Sequence, residues 1–329
     1  MKHNDFTIGV EKLINPVDVG TLHFVQKFTG SLPISIQRKM VAKSAEITSY
    51  MGFVVEPYSY FLNYEIKDLE WATKLLPDGF KLAKTSIFEG DTPKYYGIFG
   101  IFSAHTSGFW GSRVEFYIIA EDINSGMLSW IIVDYDTNTI SYDPKNGLKS
   151  PNSEGSVFTV DYNGILHVDV QRTDNSRGLT LRSDIKNGEM KKLSQRLWVE
   201  GNLSIGYGKN VSDGDSSVFS LKFDPKEFEQ ALLIDNSDLD IQLNSWFPGL
   251  FEDEPSVVAC FPYAQHFLSD SPGFHSQLKN EDELNKEVAK IDFSKIKVFS
   301  TKSFKKFLLI GALGSLLVNI SLILLLLFK

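Results

Sequence analysis

Cysteine is almost missing from this chain of 329 residues. Cys260 stands alone, so no disulfide can close within the chain and no thiolate cluster can hold a metal. Basic charge is also in short supply. Lys and Arg number 33 against 41 Asp and Glu, for a net charge of −8, and no basic face is concentrated enough to bind phosphates, which sets a nucleic-acid partner aside. His23, His105, His167 and His266 show no ligand spacing, so no zinc or iron site is indicated and no cofactor is called for. No serine lies in a Gly-x-Ser-x-Gly elbow, and Gly206-Tyr207-Gly208-Lys209 lacks the strand-to-helix context of a phosphate loop and reads as a turn. No repeat of about 20–50 residues is evident, and no apolar run of signal-peptide length follows Met1.

What the chain has is apolar and aromatic mass. Hydrophobic residues make up 43%, ample for a large core, and 25 Phe and 12 Tyr among Val, Ile and Thr favour β structure. Strands are expected at 58–66, 95–104, 113–120 and 127–133, with the lengths and Gly/Asn/Asp breaks of antiparallel neighbours. Asp68 reads as the N-cap of a short helix whose apolar face is Leu69, Ala72, Leu75 and Leu76, ended by Pro77-Asp78-Gly79. Asn163-Gly164 signals a hairpin, in which Phe158, Val160 and Tyr162 share a face, as do Leu166, Val168 and Val170, and one side of the hairpin is core. Further strands are expected at 178–183, 196–204, 218–223 and 257–261, and a second helix starting at Asp224-Pro225-Lys226-Glu227 and running to about Leu233. Residues 235–256 read as irregular. This order is that of a mainly β, antiparallel domain with two short helices, whose many short strands close into a barrel or pack as a sandwich.

The main domain is placed at 51–265. Residues 1–50 are read as a mixed extension packing on it, with a basic stretch at Gln37-Arg38-Lys39-Met40 and Lys43. Residues 266–306 read as a polar connector, helical in part from Glu281 to Ala289. Residues 307–328 contain no charge and would span about 33 Å as a helix, so a single-pass transmembrane tail anchor is expected there. Lys295, Lys297, Lys302, Lys305 and Lys306 precede this run and only Lys329 follows it, which puts residues 1–306 on the cytoplasmic side of the membrane. Gly311, Ser315 and Asn319 recur every fourth residue and share one helix face. They either pair chains into a homo-oligomer or are tolerated in a very apolar span.

Several segments together carry a family resemblance. Tyr60-Phe61-Leu62-Asn63-Tyr64 and Leu76-Pro77-Asp78-Gly79-Phe80, then Arg113-Val114-Glu115, then Asp143-Pro144-Lys145 with Lys149-Ser150-Pro151 and the Asn163-Gly164 hairpin, occur in the order of the acetoacetate decarboxylase-like superfamily. Residues 57–266 resemble that family. The resemblance implies a closed, cone-shaped antiparallel β-barrel around an apolar pocket, with Lys145 as a Schiff-base nucleophile of a decarboxylating lyase and Glu115 as an acid/base or positioning group for a small oxo acid. An ordinary lysine is neutral in only about one molecule in 2,500 at pH 7, so burial or a neighbouring cation must free the amine. The family's second lysine corresponds to Asn146, the stretch Glu56-Pro57-Tyr58-Ser59-Tyr60 lacks the arginine the family keeps there, and the acidic residue expected on 95–104 is absent.

Each candidate has a plain alternative. Asp143-Pro144-Lys145-Asn146-Gly147 is also a near-ideal β-turn, which makes Lys145 an exposed turn residue. Glu115 alternates with Val114 and Phe116 and faces either a pocket or water. Two functions follow: a membrane-anchored enzyme acting on an oxo acid through Lys145, or a non-catalytic barrel holding a hydrophobic or lipid ligand at the membrane surface.

Overall fold

The computed structural model describes residues 3–47, 50–143, 147–211, 218–270 and 276–297. Three helices come first: α1 (His3–Lys12), α2 (Pro16–Thr29) and α3 (Ile34–Ile47). β1 (Tyr50–Val55) and β2 (Ser59–Glu65) lead to α4 (Leu69–Leu75) and the short β3 (Phe80–Leu82) and β4 (Lys84–Thr85). The Asp68 carboxylate accepts the Trp71 N–H at 2.8 Å at the start of α4, a cap that typically contributes about 1 kcal/mol. The spine follows as three long antiparallel strands, β5 (Lys94–Thr106), β6 (Trp110–Asp122) and β7 (Leu128–Thr137).

After the spine comes a small hairpin of β8 (Ser141–Asp143) and β9 (Gly147–Lys149). β10 (Val157–Val160), β11 (Ile165–Gln171) and β12 (Gly178–Asp184) then form most of a second sheet, and β13 (Glu189–Lys192) returns to the first. β14 (Ile205–Tyr207), β15 (Lys222–Phe223), β16 (Gln230–Ile234), β17 (Leu239–Asn244), β18 (Val257–Phe261) and β19 (Gln265–Asp270) complete the strands, and α5 (Glu281–Lys290) follows. β2 and β1 pair one after the other along a single edge of β5, Tyr60 with Ile101 and Phe53 with Thr106. From β2 the sheet continues through β18, β16 and β13; from β1 it continues through β19 and β15. β6, β7 and the parallel β14 extend the other edge.

These ladders do not form the closed cone-like barrel expected from the sequence. Among the described residues, β14 and the segment before β15 meet through one bridge, in which Ile205 and Phe219 exchange two backbone hydrogen bonds of 2.9 Å. The physical reason is local. β14 has three residues and β15 two, too few to carry a continuous ladder from one to the other.

The 13-stranded sheet has a distinct core on each face. On the outer face, Tyr60, Phe99, Phe116 and Val258 pack with Leu166, Val168, Val170, Leu179 and Leu181 of the four-stranded sheet β10-β11-β12-β17. On the inner face, Ile98, Phe102, Trp130 and Phe261 pack with Leu197 and Trp198. A third cluster joins Phe6, Val10 and Leu13 of α1 to Val54, Leu268 and Ile291.

Several expected elements change identity. Residues 196–204 form a π-turn (Arg196–Glu200) and a 3-10 turn (Gly201–Leu203) instead of a strand. The Trp198 indole donates to the Ile87 carbonyl at 3.0 Å, and a Cβ on Gly201 would stand 2.3 Å from the Trp130 ring nitrogen, so tertiary fit decides the backbone here. The helix begun by Asp224 and Pro225 stops at Phe228, because Gln230–Ile234 is needed as a strand between β13 and β18. Of the strand expected at 218–223, Lys222–Phe223 is a strand. β17 lies within the stretch read as irregular, and β19 begins where the connector was expected. Tyr162 is 97% exposed and not on the core face, since Asp161 and Gly164 close a turn around it (Gly164 N–H to Asp161 O, 2.9 Å). Among the described residues no helix is long and apolar enough to cross a membrane. The expected span 307–328, with Gly311, Ser315 and Asn319, lies outside the described residues.

Candidate functional site

Period-two alternation on β6 sends Val114, Phe116 and Ile118 to the outer core and Arg113, Glu115 and Tyr117 to the inner face. Glu115 is therefore buried against the interior and does not face water. Its neighbours across the sheet are Gly100 on β5 and Tyr135 on β7. Glycine fits position 100 closely, since a Cβ there would lie 3.0 Å from the Tyr117 ring and 3.1 Å from that of Phe61 and would crowd both. The missing side chain makes room for the Tyr117 phenol to reach back over Glu115.

Three polar groups meet in this space. Arg113 donates to Glu115 Oε1 from Nε at 2.7 Å and from Nη2 at 2.6 Å, while the Tyr117 hydroxyl donates to Glu115 Oε2. Both oxygens of Glu115 thus accept, the pattern of a carboxylate. Burial, reinforced by the Glu115 charge and by the hydrogen bond to it, pushes the Tyr117 phenol well above its ordinary range and keeps it a donor. Burial pulls the Arg113 value down, but Glu115 together with the surrounding tyrosines Tyr135, Tyr207 and Tyr117 outweighs it, for a net rise that keeps the guanidinium charged. Its plane lies between two rings, 4.6 Å from the Tyr135 centroid and 5.9 Å from that of Phe109. Among the described residues, Arg113 Nη1 donates to nothing.

Tyr135 connects this centre to the next expected site. Its hydroxyl is 3.0 Å from Ser141 Oγ, at the start of β8, and Ser141 precedes Lys145 by four residues. Lys145 itself lies outside the described residues, which include the two arms of its hairpin. Helix α3 braces the second arm, where Gln37 Oε1 accepts the Leu148 N–H at 2.9 Å. Gly147 has φ +77°, and a Cβ there would come 2.5 Å from that same oxygen. His23 of α2 stands 3.1 Å from Thr139 Oγ1 just ahead of β8. The amino-terminal helices thus hold the hairpin from outside the sheet.

The rest of the inner face is dense aromatic packing. Phe61 meets Trp198 at 5.0 Å and Phe261 at 5.6 Å, and Tyr117 meets Trp130 at 5.0 Å. Two surface depressions lie elsewhere. One, of about 370 Å³, is lined by Glu227, Tyr263 and His266 among others, and one of about 220 Å³ adjoins Arg172.

Three further polar centres were not anticipated from the sequence. Asp134 and Asp136 of β7 receive Arg172 and Arg177, with Arg177 also 3.5 Å above the Trp246 ring. His266 is held between Glu227 (Nδ1 to Oε1, 3.0 Å) and Glu11 of α1 (Nε2 to Oε1, 3.3 Å). Buried Lys222 donates to Asp270 and Ser276, each at 2.7 Å. Single residues such as Asp134 and Arg172 carry no local signal of partnership, because the fold alone brings them together. No group of three His, Cys, Asp or Glu among the described residues is placed to hold a metal ion.

No family profile matches the chain, and no curated protein matches it. Among solved structures, an acetoacetate decarboxylase from Legionella pneumophila is similar over 67% of this chain and 86% of its own, at 11% identity and a TM-score of 0.41. A second acetoacetate decarboxylase structure is similar over 67% of this chain and 87% of its own, at 12% identity and a TM-score of 0.37.

Proposed function

We propose that this chain is a membrane-anchored, acetoacetate decarboxylase-like protein that takes a small oxo acid against the inner face of its sheet. Arg113 receives the carboxylate through its remaining N–H donors, and Glu115 with Tyr117 fixes the guanidinium in place. The observation that carries this reading is the chain of contacts from Glu115 through Arg113 and Tyr135 to Ser141, which brings the only buried cation of β6 next to the strand that leads to Lys145. In the enzymatic form, Lys145 Nζ adds to the ketone carbon and water leaves, giving an iminium. The bond to the carboxylate then breaks, its electrons move to the iminium nitrogen as carbon dioxide departs, and protonation and hydrolysis release the ketone and the amine.

A direct binding titration tests the site. An oxo acid should bind the full-length protein at least tenfold more tightly than the matched ketone lacking the carboxylate, which is the effect of about 1.4 kcal/mol from one charge-assisted pair. The paired replacement Arg113→Met with Glu115→Leu should remove that preference. Equal binding of acid and ketone by the unaltered protein would sink the role of Arg113.

A second reading, in which the protein holds a hydrophobic ligand without catalysis, is favoured by the full engagement of both Glu115 oxygens and by Asn146 where the family has a lysine. Organic extraction of purified protein should then return a bound amphiphile, and its absence counts against this reading. For either function, residues 307–328 are the anchor and residues 1–306 are cytoplasmic. Glycans on Asn202 or Asn210 would contradict that topology.

A further inference from the structure

Ile36 and Met40 are four residues apart on one side of α3, at 44% and 46% exposure, and Leu32 in the turn before the helix is also exposed, at 37%. Their direction is set from the other side, where buried Gln37 bonds Gly30 and Leu32 carbonyls and the Leu148 N–H, fixing α3 on the β8–β9 hairpin. Lys39 and Lys43 are also exposed and are one helical turn apart. Each stands three residues beyond an apolar member of the ridge, Lys39 after Ile36 and Lys43 after Met40, so the two lysines border it on one flank. In a chain of net charge −8 this is a local exception.

We propose that this ridge lies on the surface of an anionic phospholipid bilayer, the apolar side chains at the headgroup boundary and the two lysines reaching acidic headgroups. An apolar line with lysines on its border is the pattern of a helix lying in a membrane interface, and charge selects the anionic leaflet. The far end of the chain supplies the proximity. Phe293 packs edge-on to Phe6 of α1 at 5.9 Å and fills the space over Gly9, where a Cβ would stand 2.4 Å from its ring. The first helix and the carboxyl-terminal segment are therefore neighbours, and α2 follows α1 after a short turn. Residues 298–306 then separate the last described residue from the uncharged run 307–328, and even a fully extended linker of that length reaches only about 30 Å. The inference rests on the reading of 307–328 as a membrane anchor.

The test uses the full chain with Cys260→Ala and a nitroxide on Met40→Cys or, as a control, on Val157→Cys, which is exposed on the second sheet. The protein is reconstituted in phosphatidylcholine vesicles with and without phosphatidylserine. With phosphatidylserine present, the label at position 40 should become accessible to oxygen and protected from a water-soluble nickel complex, while that at position 157 stays in water. Lys39→Glu with Lys43→Glu should lower the lipid-exposed fraction roughly tenfold or more. The proposal is overturned if position 40 stays as water-accessible as position 157, or if it is shielded from both reagents, which would mean that a protein face covers it. A carbonate wash separates the two readings. Protein retained by the vesicles with position 40 in water refutes the docking and leaves the anchor. Protein released by the wash, after position 40 had been in lipid, supports the docking and refutes the anchor.

Discussion

Asp134, Tyr135 and Asp136 are consecutive on β7 and serve two different charge centres, one on each face of the sheet. On the outer side the two carboxylates meet two guanidinium groups, and Asp136, fully buried, accepts from Arg172 Nε at 2.8 Å, Arg177 Nε at 3.0 Å and Asn152 Nδ2 at 3.1 Å. Charges balance two against two, and the network ties the carboxyl-terminal end of β7 to both ends of the β11–β12 turn. On the inner side Tyr135 stacks under one guanidinium that meets one carboxylate, and among the described residues its Nη1 has no acceptor. The outer centre is closed and acts as a clamp between layers. The inner centre is smaller and lined by rings, and the role proposed for Arg113 rests on its remaining donor.

The largest effect should come from breaking the clamp. Asp136→Ala leaves two guanidinium groups sharing Asp134 alone in a poorly solvated place and should cost about 3–5 kcal/mol in urea unfolding. A loss below about 1 kcal/mol would show that the outer network does not hold the layers together. The paired replacement Arg113→Met with Glu115→Leu should change stability by no more than about 1 kcal/mol, since a buried pair exchanged for apolar side chains of similar volume is often neutral. If it cost as much as Asp136→Ala, the inner centre would be a second clamp and the contrast would fail. Tyr117→Phe removes one hydrogen bond and should cost about 1 kcal/mol, measured the same way.

Two smaller effects sharpen the picture away from these centres. Burial lowers the His266 value, but Glu227 and then Glu11 raise it further, for a net rise above 6.5. A raised folded value means that the tether between α1 and the sheet is complete below about pH 6.5 and is lost as pH climbs through the raised value. His266→Gln should flatten that part of the stability–pH curve, and an unchanged curve would remove His266 from the tether. Burial pushes the Cys260 thiol up to about 12, within the outer core. A disulfide reagent at pH 8 should therefore label it only as fast as the chain unfolds, and faster in Asp136→Ala. Rapid labelling of the native protein would show that the outer core opens freely.

Much of the β scaffold was legible because strands 94–137 are long, aromatic and broken by clear turn residues, and because Asp68 caps α4 as its position suggests. Glu115 entered as a candidate through the family resemblance, while alternation left its direction open, to be decided by which core took Phe116. The three amino-terminal helices were not legible as helices. Among their inward-facing residues are Gln26 and Gln37, whose burial is explained by bonds to Ser150 and Leu148 far along the chain. β17 did carry a signal, since Leu239, Ile241 and Leu243 alternate with Asp240, Gln242 and Asn244, but the alternation is weakened by half-exposure on both sides. The clamp could not be read at all, since Arg172 and Arg177 reach Asp134 and Asp136 across 36–43 residues.

Borohydride trapping of the full-length protein with a panel of oxo acids, followed by mass mapping of the labelled lysine, addresses the inner site most directly. Reception of an oxo acid at Arg113 beside the Lys145 hairpin requires a reduced adduct on Lys145 that falls at least tenfold in the Arg113→Met, Glu115→Leu protein. No adduct on Lys145 with any acid of the panel, or an equal yield from the altered protein, would contradict it.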